Sequence, residues 1–488
     1  MNITFLSGDL PASLIQTLRT FKENIYFVGD NKVCDLEYSQ IVHGALTPAS
    51  AEIPQEIYHS VWANTSDIYE AYSRQDVGCY QYKVQDCLRL LRLHVQFWIG
   101  HVEKFSPDLV LFVNLPHEGY DLVLSAVCDY FNIPQYSFFQ CQYSPSFYVY
   151  GKSRQGWEPI NKCFFSKQEQ LTSIEKKNIT AYNWIDDYIS KLEGSKQFFY
   201  MVSSDYCVDT TSVSRVVRVK FVIKRLINII KRISSRNRYE YALEYLEARL
   251  SILQVSLSEL LYQTRSKKST FKHRCLVENR RYIYFPLHLQ PELTSSIMGG
   301  IFNDQAYALS LLSDICKSKN IIVLAKENPK QTHFHRFKKW FEDIYDLPNV
   351  YLVDSSIDTH QLTSGSLCVA TISGTAGLEA LARQKPVICL GNSSVWWKHF
   401  DGVYKFDEQT LADAGDFIDS LISPSQRAHR SPSDLRSQLL FDVAERCYDG
   451  CVDISYLKNF GLSETENNEM LKHELGSIIN GIAARSVQ

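Results

Sequence analysis

The chain has 488 residues, a formal net charge of −3 and 45% hydrophobic residues, and its mean hydropathy is −0.20. Because single hydrophobic cores rarely grow beyond roughly 250–300 residues, this length predicts two or three domains. The near-neutral charge excludes a global nucleic-acid footprint, and the composition excludes a collagen-like or low-complexity chain.

The 13 cysteines lie scattered between Cys34 and Cys451, without a C-x-x-C pair or the spacing of a zinc finger. They are interpreted as reduced, buried thiols, and no metal site is expected. The first residues lack a basic region followed by a long apolar one, and no stretch reaches the roughly 20 apolar residues of a membrane span. We therefore expect a cytoplasmic protein.

Residues 1–202 predict an α/β lobe. Two short apolar strands, NITFLS and NIYFVGD, flank a helical pattern near the amino terminus. The segment from Ser106 to Phe139 then has the pattern of a strand, a loop, a helix and a second strand. Because a strand–helix–strand unit implies parallel pairing, these residues are interpreted as a Rossmann-like lobe with functional loops at its strand ends.

Residues 203–273 change to a helical period and are interpreted as a helical insertion. Within them, residues 214–238 carry nine Lys or Arg residues and no Asp or Glu, interleaved with Val and Ile. A basic amphipathic helix of this kind is typical of the surface of an anionic membrane. The alternative is a partly buried helix that faces an acidic partner. Nucleic acid is not expected as a partner, because aromatic residues are nearly absent.

The α/β pattern returns in residues 274–424, which are interpreted as a second Rossmann-like lobe. Apolar strands such as NIIVLA, NVYLV, LCVATIS and PVICLG alternate with helical patterns. Residues 425–488 are interpreted as a polar tail of helices without a further strand. The predicted fold class is therefore α/β, with two Rossmann-like lobes, a helical insertion between them and a helical C-terminal segment.

The turn after LCVATIS is the strongest candidate site. Ser373, Gly374, Thr375 and Gly377 combine hydroxyl groups that can cap a helix with glycines that allow a ligand close to the backbone. The helix that follows offers free amide groups and a positive dipole end to an anion, usually a phosphate. Glu379 is expected in its first turn, where its carboxylate suits ribose hydroxyls. A plain strand-to-helix turn with its own cap remains the alternative.

A second candidate is the sequence KENP, which follows the strand NIIVLA and therefore projects from the same edge of the sheet. Lys326 is suited to neutralise phosphate, and Asn328 can donate hydrogen bonds to it. Pro329 disfavours helical geometry at Asn328 and predicts a fixed, extended loop. The alternative is a polar strand end finished by a proline turn.

The loop within Tyr284–Gln305 is rich in polar side chains and framed by prolines, which favours a functional loop over mere packing. Glu292 is its candidate catalytic carboxylate, as nucleophile, base or ion stabiliser. His288 is a further catalytic candidate, although a hydrogen-bonded structural histidine is an equal interpretation. Gln290 and Ser295 are candidate contacts to the acceptor substrate.

His117 and Glu118 occupy the equivalent loop of the first lobe, after its best strand. Glu118 is suited to act as a general base towards an acceptor hydroxyl or as an acid towards a leaving group. His117 is a candidate acceptor contact. The alternative for Glu118 is a carboxylate favoured by the dipole of the helix that follows.

Taken in order, the motifs YFPLHLQPE, GGIFNDQ, KENP and SGTAGLEALARQKPVICLG resemble the bacterial capsule polysaccharide biosynthesis family. That family includes transferases of Kdo, an acidic ulosonic sugar. The resemblance covers Tyr282–Gly391 well and the Pro116–Glu118 loop less closely. It implies a GT-B-like fold, with a nucleotide sugar against the C-terminal lobe, the acceptor in the cleft, and a C-terminal helix that crosses back to the N-terminal lobe.

The resemblance also implies roles for individual residues. The family's nucleotide-binding turn matches Ser373, Gly374, Thr375 and Glu379. Its His-Pro element, which contacts the donor phosphate, matches Lys326–Pro329, with Asn328 in place of the histidine. Its acidic residue, proposed as catalytic in the Kdo enzymes, matches Glu292 in place of an aspartate.

We therefore expect a glycosyltransferase of bacterial surface polysaccharide synthesis, working without a metal because no Asp-x-Asp pair is present. Its partners would be a nucleotide sugar, preferably a CMP-sugar such as CMP-Kdo, a lipid-linked or oligosaccharide acceptor, and the inner-membrane surface through residues 214–238. Retention of configuration is one outcome that a glycosyl-enzyme intermediate at Glu292 would give. A non-catalytic assembly or export partner and a nucleotide-sugar epimerase are the alternatives.

Overall fold

The structure is a computed structural model of the chain. It describes residues 1–8, 10–21, 23–29, 31–37, 53–63, 68–75, 84–153, 156–164, 173–194, 260–262, 280–331, 336, 338–354, 357–406, 411–423 and 432–486. Apart from residues 260–262, the predicted insertion 203–273 lies outside the described residues, and so does its basic segment 214–238.

The N-terminal lobe is built on one mixed sheet. Its strands are β1 (Asn2–Gly8), β2 (Asn24–Gly29), β3 (Leu36–Glu37), β4 (Leu109–Phe112), β5 (Gln135–Gln140), β6 (Ser146–Ser153) and β7 (Gly156–Pro159). The first five run parallel in the order β3-β2-β1-β4-β5, and β6 and β7 continue the sheet antiparallel. The central strands are almost entirely buried, as parallel strands covered on both faces must be.

Six helices belong to this part of the chain: α1 (Ala12–Leu18), α2 (Gln55–Ala63), α3 (Ile68–Gln75), α4 (Val84–Phe105), α5 (Gly119–Phe131) and α6 (Ser173–Leu192). The predicted unit between Ser106 and Phe139 is confirmed as β4, α5 and β5. Helix α5 ends at Asn132, whose left-handed backbone (φ 56°) allows the chain to turn into β5.

The C-terminal lobe contains a second sheet, in which every strand is parallel to its neighbours. Its strands are β8 (Tyr282–Pro286), β9 (Ile322–Lys326), β10 (Val350–Val353), β11 (Val369–Thr371), β12 (Val387–Cys389) and β13 (Val403–Lys405). The connecting helices are α7 (Gln305–Lys317), α8 (Lys338–Tyr345), α9 (Thr359–Gly365), α10 (Thr375–Ala382) and α11 (Leu411–Ile422). Asp304 begins α7 by accepting hydrogen bonds from the amides of Ala306 and Tyr307.

The tail returns to the N-terminal lobe. It consists of α12 (Leu435–Arg446), β14 (Cys447–Asp449), α13 (Leu457–Phe460) and α14 (Glu464–Ser486). The prediction of helices alone is wrong at β14, which pairs antiparallel with β6 and lengthens the first sheet. Helix α14 is not polar throughout, since Leu471, Leu475 and Ile478 are buried in the core that α1 shares.

The two lobes meet through the loop that follows β12. Trp396 of this loop stacks on Tyr148 of β6, with ring centroids 5.6 Å apart. Asp442 of α12 is fully buried beside them and accepts hydrogen bonds from the hydroxyls of Tyr143 (2.7 Å) and Tyr148 (2.5 Å). His399 lies 3.1 Å from the other carboxylate oxygen of Asp442. This buried polar cluster fixes how the lobes face each other.

Candidate functional site

The strand order of the C-terminal sheet places the candidate loops together. The order is β10-β9-β8-β11-β12-β13. Successive strands are therefore added outward from β8 on one side and outward from β11 on the other, and the strand order reverses between β8 and β11. Ligands of such sheets bind outside the carboxyl ends of the strands at this reversal. The loop after β8 carries His288, Gln290 and Glu292, and the turn after β11 carries Ser373 and Gly374.

The turn after β11 is tied to the loop after β8. The hydroxyl of Ser373 donates a hydrogen bond to the carbonyl oxygen of Thr294 at 2.5 Å. The residue at the cap position of α10 is Gly374, which has no side chain to cap with. The expected hydroxyl cap is therefore wrong, and the amide groups of the first turn are left to other partners.

The glycines of this turn are required by the packing of neighbouring side chains. A Cβ atom on Gly374 would lie 2.8 Å from Cε1 of His288, and one on Gly377 would lie 2.5 Å from Cη2 of Trp397. Both distances are far below van der Waals contact. The glycines thus allow a histidine and a tryptophan to pack against the helix start, whereas the sequence interpretation had assigned this space to a ligand. Thr375 begins the helix beside them, partly exposed.

Lys326, at the end of β9, lies close to Glu379 of α10. Burial lowers the pKa of Lys326, and the negative charge of Glu379 is among those that oppose this effect. For the Glu379 carboxyl, the positive charge of Lys326 likewise opposes the effect of burial. The ammonium group also donates hydrogen bonds to the carbonyl oxygen of Ile357 (2.5 Å) and to Oγ1 of Thr359 (3.0 Å). Two motifs separated by more than 50 residues therefore meet at one edge of the sheet.

Glu379 is the fifth residue of α10, so it lies about one residue beyond the first turn in which it was expected. Its side chain is 16% exposed, and one carboxylate oxygen lies 3.9 Å from Nδ1 of His360. Burial is the largest influence on this carboxyl and raises its pKa to about 7, against the opposing effects of Arg383 and Lys326. A buried carboxylate that is half protonated near neutral pH is suited to hydrogen-bond a sugar hydroxyl.

His288 lies beneath this turn. Its Nε2 is 2.9 Å from Oγ1 of Thr371, and its backbone amide donates to Oε1 of Gln305. Burial, followed by the charge of Arg336, lowers the pKa of His288 to about 4. The ring is therefore neutral at physiological pH and supports the strand ends.

Gln290 and Ser295 are buried and hydrogen-bonded within their own loop. The Gln290 amide nitrogen donates to the carbonyl oxygen of Asn303, and its Oε1 accepts from Arg336 at 2.9 Å. The Ser295 hydroxyl donates to the carbonyl oxygen of Leu289 at 2.8 Å. Both side chains shape the loop, which speaks against the acceptor contacts expected for them.

Arg336 links the two candidate loops, and sequence reasoning missed it. Its side chain is completely buried; Nε donates to Oε2 of Glu327 at 2.8 Å, while a terminal nitrogen binds Gln290. The guanidinium also lies over the ring of Trp340, 4.2 Å from its centroid. The spacing of Arg336 and Trp340, one helical turn apart, is the sole local signal for this cluster.

The KENP segment forms a tight turn. The backbone amide of Asn328 donates to Oε1 of Glu327, and its own Oδ1 accepts from the amide of Lys330 at 2.9 Å. Pro329 is exposed beside it. Asn328 therefore fixes the loop shape with its side-chain oxygen, as asparagine commonly does in turns.

Glu292 faces the first lobe. It is exposed at the start of its loop, and Oε2 accepts a hydrogen bond from Thr294 at 3.2 Å. Glu292 and Ser296 line a small crevice between the lobes together with Glu70 and His117 of the N-terminal lobe. The structure thus brings together two sequence candidates, Glu292 and His117, from opposite lobes.

His117 and Glu118 lie at the amino-terminal end of α5. Nδ1 of His117 is 2.6 Å from the carbonyl oxygen of Leu115, and its Nε2 is 3.5 Å from Oε1 of Glu118. The side chains are 20% and 31% exposed. Because Nδ1 lies within hydrogen-bond distance of a carbonyl oxygen, it carries a proton, and Nε2 faces Glu118.

Two further properties concern the whole described part of the chain. Among the described residues, no three His, Cys, Asp or Glu side chains are grouped so as to hold a metal ion. None of the described helices combines the length and apolar character that a membrane span requires.

Two Rossmann-like lobes joined across a cleft define a two-lobed α/β protein of GT-B-like architecture. The sequence model of the family described as "Capsule polysaccharide biosynthesis protein" matches residues 203–402. This region is thus similar to the capsule polysaccharide biosynthesis family, in agreement with the resemblance of its motifs. No curated protein sequence matches the chain significantly.

Several solved structures align with this chain at low similarity. UDP-GlcNAc 2-epimerase from Methanocaldococcus jannaschii is 10% identical, with 85% of this chain and 92% of that one covered and a TM-score of 0.24. The Neisseria meningitidis UDP-GlcNAc 2-epimerase bound to UDP-GlcNAc is 11% identical, covering 91% and 99%, with a TM-score of 0.27. KpsC of Thermosulfurimonas dismutans, a beta Kdo 2,4 transferase, is 11% identical, covering 59% and 70%, with a TM-score of 0.24. At these values the similarities carry no conclusion about substrate or reaction.

Proposed function

We propose that the chain is a glycosyltransferase of bacterial capsule or related surface polysaccharide synthesis, which transfers a sugar from a nucleotide donor to a lipid-linked glycan. The family match supports the biological role. The observation that carries the proposal is the meeting of Lys326 and Glu379 at the strand ends where Rossmann-like sheets bind nucleotides.

In this proposal Lys326 and the first backbone amide groups of α10 bind the donor phosphate. No side chain caps these amide groups. Glu379 hydrogen-bonds the ribose. Fixed positive groups of this kind stabilise the charge that develops on a departing phosphate, so a metal ion is not required. His288 holds the turn in place from below and is a positioning residue.

The reaction exchanges one bond at the anomeric carbon for another. The bond to the donor phosphate oxygen breaks, and the electron pair leaves with the nucleotide. An acceptor hydroxyl forms the new glycosidic bond, and its proton passes to a carboxylate. Glu118 is the proposed base, whereas Glu292 stabilises positive charge at the anomeric carbon or forms a transient glycosyl-enzyme with net retention.

The donor and the location follow from the resemblance. A CMP-linked ulosonic acid such as CMP-Kdo is the favoured donor, because the motifs that match include those of Kdo transferases. The basic segment 214–238 is proposed to hold the enzyme at the cytoplasmic face of the inner membrane, where lipid-linked acceptors are found.

The direct test is to incubate the protein with CMP-Kdo and a panel of UDP- and GDP-sugars, with and without a lipid-linked oligosaccharide, and to follow nucleotide release. The proposal expects release that depends on the acceptor and falls by at least about 100-fold in Glu292→Gln and Glu118→Gln. Glu103→Gln, at an exposed position on α4, is the matched control.

Each alternative has its own outcome in this assay. A change in free nucleotide sugar without an acceptor would indicate an epimerase. Absence of turnover with any donor, together with normal polysaccharide production in cells that carry Glu292→Gln and Glu118→Gln, would indicate a non-catalytic assembly partner.

A further inference from the structure

The N-terminal lobe contains a cavity of about 410 Å³, which Glu118, the proposed base, lines in part. It lies at the carboxyl ends of β1, β4 and β5, where the order of the first sheet also reverses. The amino-terminal end of α5 forms one wall, and Asp453 and Tyr456 of the returning tail form another. A volume of this size accommodates one or two sugar residues.

The charged groups that line this cavity are acidic. Glu118, Asp121 and Asp453 contribute three carboxyl groups. Among the described residues that line it, none is Lys or Arg. The cavity therefore differs from the strand ends of the other lobe, where Lys326 is proposed to bind phosphate.

The amino-terminal end of a helix ordinarily favours an anion, but at α5 the side chain of Asp121 already occupies this position. Oδ2 of Asp121 accepts a hydrogen bond from the backbone amide of His117 at 3.2 Å. The amides of Glu118 and Leu122 also interact favourably with the Asp121 carboxylate. An anionic ligand at this helix end would have to displace Asp121.

Asp121 also supplies a polar atom without a partner among the described residues. Its side chain is only 7% exposed, and Oδ1 makes no hydrogen bond there. Burial and the neighbouring charge of Glu118 raise the pKa of this carboxyl well above its usual range. A buried polar atom at a cavity wall costs free energy unless a ligand or water bonds it.

The rest of the lining suits a sugar ring. Gln142 and the exposed Asn114 provide amide groups, and Tyr120, Phe139 and Tyr456 provide apolar ring surfaces. Cavities that bind small ligands typically combine such apolar walls with a few polar groups that fix orientation. His117 lines both this cavity and the crevice with Glu292, so the cavity lies next to the crevice between the lobes.

We propose that this cavity binds a sugar residue without a negative charge, as the terminal residue of the acceptor glycan. That this sugar is an acceptor rests on the proposed transferase function, whereas the binding of a neutral sugar does not depend on it. Carboxylate-bearing sugars and phosphates are repelled by the negative charges of Glu118 and Asp453. An acidic sugar can therefore serve as the donor but does not bind this cavity as the acceptor residue.

Two probes that differ in one group test whether the cavity prefers a sugar without a negative charge. Saturation-transfer NMR with methyl β-D-glucoside and methyl β-D-glucuronide compares a neutral sugar with its C6 carboxylate. We expect the glucoside to bind at least about tenfold more tightly, the size expected for one repulsive unit charge at roughly 6 Å in a half-solvated site. Glu118→Gln should reduce this preference severalfold. Asn114→Trp, at an exposed position of the lining, should prevent binding of the glucoside.

Three results would overturn the inference: equal binding of the two probes, preferential binding of the glucuronide, or no binding of either at 10 mM. Binding that survives Asn114→Trp in a folded variant would also overturn it, because the probe would then lie elsewhere. A titration of CMP, UDP and GDP in the same samples keeps the outcomes separate. Nucleotide binding without sugar binding refutes the cavity assignment but leaves the transferase proposal standing.

Discussion

The hydroxyl of Ser373 donates a hydrogen bond to the carbonyl oxygen of Thr294, and this one contact joins the turn before α10 to the loop that carries Glu292. Ser373→Ala removes the donor and leaves a partly buried carbonyl unpaired, which costs about 1 kcal/mol. We expect the melting temperature of the C-terminal lobe, a unit of roughly 150 residues, to fall by about 2–4 °C.

Thr294→Ala is the matched control for this prediction, because it keeps the backbone carbonyl and loses only the weak bond to Glu292. It should change the melting temperature by less than about 1 °C. If the two variants melted alike, the hydrogen bond would not be what joins the two segments.

The pKa of Glu379 predicts a stability that depends on pH. Burial raises this pKa from 4.5 to about 7, so the folded protein holds a proton that the unfolded chain releases between these values. The free energy of unfolding therefore falls as pH rises through this window. Glu379→Gln cannot ionise, and it should stabilise the ligand-free protein at pH 8 by up to about 3 kcal/mol.

At pH 4 the gain should disappear, because Glu379 is then protonated in the folded protein and largely so in the unfolded chain. Thermal melts of both proteins at pH 4 and pH 8 provide the measurement. A stabilisation that is the same at both values would show that charge burial is not its cause.

Gly377 is predicted to be indispensable for packing. Gly377→Ala places a Cβ atom 2.5 Å from the ring of Trp397, which itself is almost completely buried. The expected loss of stability is about 1–3 kcal/mol, as for other overpacked sites. Chemical denaturation followed by tryptophan fluorescence measures it.

Gly415→Ala is the control, because this helical glycine has nothing closer than 3.8 Å to a new Cβ atom. Alanine is the better helix former, so this substitution should stabilise α11 by about 0.5–1 kcal/mol. Opposite signs for the two variants are the expected pattern, and a neutral Gly377→Ala would contradict it.

The C-terminal lobe was predictable where its signals are local. Apolar runs such as NIIVLA and LCVATIS become buried parallel strands, and α10 begins at Thr375 as expected. The meeting of Lys326 and Glu379 also followed from sequence, because loops after neighbouring parallel strands share one edge. Glu379 lies about one residue beyond the first turn in which it was expected, although the helix begins where predicted.

Other features depend on contacts that no local pattern records. Strand β14 has three residues, and it forms through pairing with β6, about 300 residues earlier in the chain. The buried Arg336 contacts Glu327 and Gln290 from two loops, and its spacing to Trp340 is too weak a local signal to predict these contacts. Gln290 and Ser295 looked like site residues for the same reason: polar side chains that shape a loop resemble those that bind a substrate.

The central claim is that Lys326 and Glu379 mark the nucleotide site. Isothermal titration of CMP, UDP and GDP into the wild-type protein and Lys326→Met tests it most directly, with Lys338→Met, at an exposed lysine of α8, as the control. We predict that at least one nucleotide binds the wild type and the control equally, and that Lys326→Met binds it at least about tenfold more weakly. Binding that Lys326→Met leaves unchanged, or no binding of any of the three nucleotides, would contradict the account.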